Sequence, residues 1–211
     1  GGACFAAFPL FYATSFGGAY WVWLAILFCF ILQAVSYEYR KKPDNFLGQK
    51  TYEIFLFING SLGVILIGMA VSTFFSGSDF LLNEHNFVQW QTPFRGLEAL
   101  GNIMLYPIGI AVFFLSRVGG ALYLINNIDD EEIRASARKA VLKNTILFLP
   151  FFLIFIAWIF TKTGFAYDES GVVSLVGFKY ALNLLQMPLV AAMIVIGVGL
   201  VLFGIFKGAF T

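Results

Sequence analysis

Residues 17–42, GGAYWVWLAILFCFILQAVSYEYRKK, decide the fold. Residues 17–36 carry no charge, and twenty such residues are the length that an α-helix needs to cross the hydrocarbon core of a bilayer. Trp21 and Trp23 stand near the front of this stretch, where an aromatic belt lies, and the bases at 40–42 follow it as a basic stop. The stretch therefore predicts a transmembrane helix whose C-terminal end faces the cytoplasm.

The composition indicates a polytopic membrane protein. Of the 211 residues, 60% are hydrophobic and 12% are charged, whereas soluble proteins carry roughly 25% charged residues. The few charges are clustered between long apolar runs. The net charge of +1 gives no reason to expect nucleic-acid binding. Cys4 and Cys29 lie in apolar stretches, which predicts small buried side chains and no disulfide framework.

Recurrence of this pattern predicts an all-α fold, a polytopic transmembrane helix bundle that forms a single domain over residues 1–211. The chain does not begin with Met, and its first residues resemble the second half of a membrane helix, so we expect a fragment of a longer subunit. The prediction is five complete spans plus a partial N-terminal span. The partial span covers residues 1–13 and ends near Pro9, and the complete spans cover residues 17–36, 51–77, about 97–124, 145–160 and about 182–206.

Length and prolines make three of these spans irregular. At 1.5 Å per residue the third span would measure about 42 Å, so it must tilt, kink at Pro107 or protrude. Pro150 interrupts the fourth span, and Pro188 lies in the first half of the fifth. Residues 128–144 place acids before bases, which suits a helix dipole. They predict a short surface helix that leads into the fourth span.

Basic residues alternate between the loops. Residues 37–50 and 128–144 carry four bases each, whereas residues 78–95 carry one and residues 161–180 carry two. The positive-inside rule therefore places the loops at 37–50 and 128–144 in the cytoplasm. The tryptophans agree, because all of them fall toward the other side of the membrane. They are Trp21, Trp23, Trp90 and Trp158.

Two carboxyl groups near the spans are candidates for a proton path, because ionisable groups in membranes are costly and often functional. Glu38 lies two residues beyond the first complete span and could pass protons inward, since a partly desolvated carboxyl group has a raised pKa. The alternative is an i,i+4 ion pair with Lys42. Glu53 begins the next span on the same side, and its alternative is a helix-start acid behind Thr51 as N-cap.

Other polar residues have structural explanations. Glu98 follows Arg95 by three residues, which predicts an i,i+3 ion pair. Arg117 predicts an anchor that reaches the cytoplasmic interface. Asn102 and Gln186 predict polar contacts between helices.

The sequence supports no cofactor bound by this chain alone, no metal site and no catalytic residue. Haem in a membrane bundle usually needs an axial His, Met or Cys inside a span. The single histidine, His85, lies in an outer loop, while a methionine or cysteine ligand stays possible. The glycines are scattered and form no nucleotide-binding motif.

Five segments follow one another in an order that resembles a known family. GGACFAAFPLFYATSFGGAY at 1–20 and VSYEYRKK at 35–42 are followed by NGSLGVILIG at 59–68, GALYL at 120–124 and IRASARKA at 133–140. Together they resemble subunit II of the cytochrome bd-type quinol oxidases of prokaryotes. The first two segments resemble that family's second and third helices and the loop after them.

The resemblance implies an integral subunit that forms a heterodimer with a haem-bearing subunit I in the bacterial inner membrane. It implies that the complex oxidises quinol, reduces dioxygen to water and takes protons from the cytoplasm, with haem b and haem d in the partner subunit. Glu38 matches the acid of the family's Phe/Tyr-acid-Tyr-Arg motif, and Glu53 matches an acid at the start of the next helix. The family's earlier acids precede residue 1 and are not in this sequence.

The residues alone are compatible with two other functions. A purely structural subunit would shield the partner's haems from lipid and water, and carboxyl substitutions would be silent unless assembly failed. A secondary transporter would show repeated halves with paired broken helices. The sequence shows no such symmetry, which makes the transporter the weaker alternative.

Overall fold

The computed structural model describes residues 2–167 and 171–210, so Asp168 and Glu169 of the loop at 161–180 lie outside the described residues. The described chain is helical apart from two small antiparallel hairpins, which confirms the predicted all-α bundle. The helices are α1 (Gly2–Ala7), α2 (Pro9–Gly18), α3 (Tyr20–Tyr39), α4 (Gln49–Ser76), α5 (Tyr106–Asn127), α6 (Glu131–Thr161), α7 (Lys179–Gln186) and α8 (Pro188–Phe210). The strands are β1 (Phe80–Leu82), β2 (Val88–Trp90), β3 (Gly164–Tyr167) and β4 (Val173–Val176).

Five of the described helices, α3, α4, α5, α6 and α8, are long and apolar enough to cross a membrane. The chain divides into two compact units, residues 1–113 and residues 114–211, which are described separately below. The single-domain organisation stays a prediction.

The core of the first unit lies between α3 and α4. A Cβ atom added at Gly63 would lie 3.2 Å from Cys29 Cβ, and one added at Gly60 would lie 3.4 Å from Gln33 Nε2. Small residues let neighbouring membrane helices approach closely, and here they admit the buried Cys29 side chain that the sequence predicted. The buried apolar side chains of this core are Ala19, Val22, Ile26, Cys29, Leu66, Met69, Ala70, Ala99 and Leu105.

The N-terminal segment differs from the predicted half-span. Helix α1 ends at Ala7, and α2 begins at Pro9 and continues to Gly18, so the prediction of an end near Pro9 is wrong. Proline is well suited to the first position of a helix, because the N–H group that it lacks would have no helical partner there. Pro9 therefore starts a helix instead of ending one.

The hairpin β1–β2 covers the junction between α2 and α3. Trp90, at the end of β2, donates its Nε1–H to the carbonyl oxygen of Gly17 at 3.0 Å. The Phe80 ring occupies the space where a side chain at Gly18 would lie. The loop at 78–95 is thus folded against the helix ends.

The third span begins later than predicted. Two 3-10 turns, Leu97–Gly101 and Ile103–Leu105, precede α5, so an overlong helix from residue 97 is wrong. Asn102 separates the turns, and its Oδ1 accepts a hydrogen bond from Met104 N at 3.0 Å, so it is a cap and not a contact between helices. Pro107 is the second residue of α5, where a proline ring breaks no helical hydrogen bond.

Gly68 of α4 and Gly109 of α5 bring two backbones into contact. A Cβ atom at Gly68 would lie 2.7 Å from Gly109 Cα and 2.9 Å from Ile108 O. A Cβ atom at Gly109 would lie 2.9 Å from Ile65 O. Both positions therefore require glycine for space, and the contact fixes the start of α5 against α4.

In the second unit, α6 is one continuous helix of 31 residues. Asp130 caps it, because its Oδ1 accepts a hydrogen bond from Ile133 N at 3.0 Å. The helix predicted at 128–144 begins at Glu131 and leads into the fourth span, as expected, but the two form one helix without a break. Pro150 lies inside α6 without ending it, as membrane helices tolerate.

The fifth span also begins later than predicted. Helix α7 ends at Gln186 and α8 begins at Pro188, so a span that starts near residue 182 and contains Pro188 in its first half is wrong. Gln186 is exposed at the end of the short helix and does not lie in a span. Proline again opens a helix, for the same reason as at Pro9.

We predict that Gly68→Ala destabilises the protein, because the added methyl group collides with backbone and not with a flexible side chain. Overpacking of this kind costs about 1–3 kcal/mol. Gly60→Ala is the matched control, since its nearest neighbour is the end of the Gln33 side chain. Thermal unfolding of the full protein in detergent should give a lower midpoint for Gly68→Ala than for Gly60→Ala. Equal midpoints would contradict the close approach.

Candidate functional site

Glu38 lies in the last turn of α3 and forms an ion pair. Its Oε1 lies 2.7 Å from Lys42 Nζ, which confirms the predicted i,i+4 pair. The exposed fraction of the Glu38 side chain is 62%, so within this chain the carboxylate is solvated and the expected desolvation is absent. Hydrogen bonding to the Glu38 carboxylate raises the pKa of Lys42. The Lys42 ammonium also lies 4.5 Å from the centre of the Tyr39 ring.

Glu53 lies in the second turn of α4. The helix begins at Gln49 behind Gly48, whose φ of +79° favours glycine, so the prediction of Thr51 as N-cap is wrong. Gln49 donates its Nε2–H to Glu53 Oε1 at 2.7 Å, one turn along the helix. The Glu53 side chain is exposed. Its carboxylate is thus accessible to solvent and already has one hydrogen-bond donor.

The packing of α3 on α4 brings Glu38 and Glu53 to the same end of this helix pair. Cys29 faces Gly63 and Gln33 faces Gly60, so the two helices run in opposite directions. The same register, extended by one to two turns, places the two carboxylates at nearly the same level. The chain thus holds two exposed acids beside the basic residues at 40–42.

Glu98 does not form the predicted ion pair with Arg95. Its Oε2 accepts a hydrogen bond from Gly96 N at 2.9 Å, and its Oε1 is buried without a hydrogen-bond partner. The Arg95 guanidinium lies 4.9 Å from the centre of the Trp90 ring. The helical i,i+3 geometry is absent because the 3-10 turn begins only at Leu97, and Arg95 and Gly96 before it have positive φ angles of 46° and 97°.

A polar contact between Arg117 and Asn144 was not predicted. Arg117 lies near the middle of α5 and donates its Nε–H to Asn144 Oδ1 at 3.0 Å, whereas the sequence suggested an anchor at the interface. Asn144 is 5% exposed, and its Nδ2–H is donated to Ala140 O. The contact lies beside a groove of about 530 Å³ between α5 and α6. Polar side chains inside spans commonly hold helices together.

Sequence reasoning missed this contact because 27 residues separate the two side chains. The single available signal was an asparagine at the boundary between the basic and apolar halves of α6. That signal does not identify a partner.

Five apolar helices, short connections and charges gathered at helix ends define a multi-pass helical membrane protein. The chain belongs to the cytochrome bd terminal oxidase subunit II family, whose model matches residues 1–210. The description of the family names it as one subunit of a terminal oxidase.

Relatives from three bacteria are similar to this chain. A "Probable cytochrome oxidase subunit 2" of Haemophilus influenzae is 30% identical over 170 residues, which cover 81% of this chain and 44% of the relative. The "Cytochrome bd-I ubiquinol oxidase subunit 2" of Escherichia coli K12 is 27% identical over 155 residues, 70% of this chain and 39% of the relative. The "Cytochrome bd ubiquinol oxidase subunit 2" of Bacillus subtilis is 32% identical over 89 residues, 41% of this chain and 26% of the relative. The matches thus span less than half the length of these relatives.

The described histidine and the buried Cys29 and Met69 do not suit an axial ligand of haem. His85 is exposed in the turn between β1 and β2. Cys29 packs on Gly63, and Met69 fills the space beside Gly109, which leaves no room for a porphyrin at either sulfur. Among the described residues, no three His, Cys, Asp or Glu side chains gather as metal ligands. No step of the chemistry is therefore assigned to haem held by these residues.

We predict that Asn144→Ala destabilises the second unit, because it removes a hydrogen bond to a charged group, a contribution of about 1.5–3 kcal/mol. Asn126→Ala is the control. Asn126 is exposed and donates to Leu122 O of its own helix. The midpoint of thermal unfolding should fall further for Asn144→Ala. A larger loss for Asn126→Ala would show that the Arg117–Asn144 contact is not a stabilising one.

Proposed function

We propose that this chain is part of subunit II of a membrane-bound quinol:oxygen oxidoreductase. In this proposal it pairs with a haem-bearing subunit I in the bacterial inner membrane, with residues 37–50 and 128–144 in the cytoplasm. The observation that carries the proposal is the family match over residues 1–210. The printed names of the Escherichia coli and Bacillus subtilis relatives, both ubiquinol oxidase subunits, support quinol as the reductant.

The reaction transfers four electrons. Two quinols are oxidised to two quinones and release four protons, and one dioxygen accepts four electrons and four protons to give two waters. If the consumed protons come from the cytoplasm and the released protons leave on the other side, the reaction generates a membrane potential. Haem b and haem d would belong to the partner subunit, and the position of His85 in an exposed turn outside the spans supports this.

The chain contributes helices and a supply of protons in this proposal. The exposed apolar faces of α3 and α8 suit contact with lipid and with a partner subunit. Glu38 and Glu53 lie at one end of the α3–α4 pair, among basic residues whose placement predicts the cytoplasmic side. Both acids are solvent-accessible, as the entrance of a proton path requires.

A specific observation favours a second candidate, the purely structural subunit. Glu38 has a partner in Lys42, and Glu53 has one in Gln49. Both acids therefore have local explanations that need no proton transfer. The two candidates agree on the complex and differ only in the role of these carboxylates.

A reduced-minus-oxidised difference spectrum tests the proposed complex. We expect a far-red haem d band from membranes that contain both subunits and none from this subunit expressed alone, because the proposal places haem d in the partner subunit. A haem d band from this subunit alone would contradict the assignment of the haems to the partner. Absence of the band from the complete complex would contradict the family's reaction for this protein.

Glu38→Gln tests the proton path. We expect oxygen consumption coupled to proton uptake to fall about a hundredfold, the lower end of the contribution of a positioned proton-transfer group. Glu84→Gln is the control, since Glu84 is an exposed acid in the β1–β2 turn. Glu53→Gln, measured in parallel, tests whether the second acid shares the path.

Haem per complex must be quantified for each variant. A slow Glu38→Gln enzyme with full haem content supports proton delivery. Unchanged turnover and membrane potential remove Glu38 from the mechanism. Loss of turnover in proportion to loss of haem favours the structural subunit.

A further inference from the structure

One face of helix α6 carries two lysines followed by aliphatic side chains, and we name it the lysine face. Its residues line a shallow groove of about 380 Å³, and they are Lys139, Leu142, Lys143, Ile146 and Leu147. Since α6 is one unbroken helix, spacings of three and four residues put these side chains on the same side. The face is therefore basic toward the start of α6 and aliphatic toward its middle.

The opposite side of α6 packs inside the second unit. Ala137, Val141 and Thr145 are 5%, 0% and 2% exposed, whereas both lysines, Ile146 and Leu147 are exposed. The buried side fixes the rotation of the helix about its axis. The lysine face consequently points away from the core of the second unit.

The positive charge of the lysine face has no counterpart nearby on α6. Neither Lys139 nor Lys143 forms an ion pair among the residues that the structure describes. No acid lies within one turn of either lysine, since Glu132 is seven residues before Lys139, about 10 Å along the helix axis. Like charges four residues apart repel each other. An anionic group between the two ammonium groups would remove this repulsion.

The length of the apolar part of α6 sets the depth of the lysines. Residues 144–160 carry no charge and measure about 26 Å at 1.5 Å per residue, close to the roughly 30 Å of a hydrocarbon core. Lys143 therefore lies at the level of the lipid headgroups. Ile146, about 4.5 Å further along the axis, lies at the level of the acyl chains.

We propose that the lysine face binds an anionic phospholipid, with the phosphate between Lys139 and Lys143 and an acyl chain along Ile146 and Leu147. Charge complementarity identifies the occupant, because two cations at headgroup level stand directly beside aliphatic contacts at acyl-chain level. A phospholipid carries an anion and a hydrocarbon chain in this order within one molecule.

The predicted topology is consistent with this occupant. It places the start of α6 at the cytoplasmic leaflet, where anionic lipids attract basic residues near the membrane surface. Lipid binding does not require the proposed oxidase reaction, so either proposal can fail without the other.

The test uses the intact complex purified in mild detergent. Native mass spectrometry measures the affinity of the tightest-bound phosphatidylglycerol and, separately, of phosphatidylcholine. The double variant Lys139→Gln/Lys143→Gln should weaken phosphatidylglycerol binding about 25-fold, about fivefold for each lysine near an anionic surface. It should leave phosphatidylcholine binding unchanged. Glycerol 3-phosphate at the same concentration, an anion without acyl chains, should not displace phosphatidylglycerol.

Lys41→Gln/Lys50→Gln is the matched control. It removes the same charge from two exposed lysines of the same predicted side, which have no ion pair among the described residues and lie outside the lysine face. This control should bind both lipids as the wild type does. Lys139→Arg/Lys143→Arg, which keeps the charge, should also retain phosphatidylglycerol binding.

Unchanged phosphatidylglycerol binding in Lys139→Gln/Lys143→Gln would overturn the proposal. An equal loss in Lys41→Gln/Lys50→Gln would overturn it too, because the attraction would then belong to the whole basic side of the protein. Loss of the partner subunit from Lys139→Gln/Lys143→Gln, with phosphatidylglycerol binding retained, would identify a protein contact and exclude the lipid. Displacement by glycerol 3-phosphate would show that the site binds a free anion and needs no acyl chain.

Discussion

Hydrocarbon offers no hydrogen-bond partner to a backbone N–H or C=O group, and the rest of this structure depends on that constraint. Each span satisfies these groups within its own helix, which is why the apolar segments of this chain are helices and not strands or loops. The hairpins β1–β2 and β3–β4 lie between spans, in segments whose residues are more polar. The backbone constraint thus separates the chain into helices at membrane depth and irregular segments at its surfaces.

Prolines show how the same constraint acts locally. Pro9, Pro107 and Pro188 each lie in the first two positions of a helix, where no intrahelical partner is lost. Each was interpreted from the sequence as the end, the kink or the interior of a span. Among the residues that the structure describes, Pro150 is the one proline inside a helix, and α6 continues past it. A proline in an apolar run indicates a discontinuity in hydrogen bonding, and whether a helix starts or bends there depends on its neighbours.

Some side-chain contacts of the candidate site could be predicted from sequence spacing, and others could not. The pair between Glu38 and Lys42 is one helical turn long, so sequence spacing sufficed to predict it. The pair expected between Arg95 and Glu98 required both residues in one helix, but Arg95 precedes the 3-10 turn with a positive φ angle, and Glu98 accepts from the Gly96 amide instead. The contact between Arg117 and Asn144 joins two spans, and no local pattern reports it. Predictions from spacing hold where the helix is regular and fail where its geometry changes.

The sequence by itself determined that the chain is a multi-pass helical membrane protein, how many complete spans it has and, through segments such as VSYEYRKK, its family. These properties follow from hydropathy and residue order, because each apolar segment is long enough to span the bilayer by itself. Only the tertiary structure decided the close approach of Gly68 and Gly109, the single helix from Glu131 to Thr161 and the groove between α5 and α6. Each of those depends on side-chain volume at a contact between segments distant in sequence, or on backbone geometry at a helix end. The hydropathy of an apolar segment predicts neither.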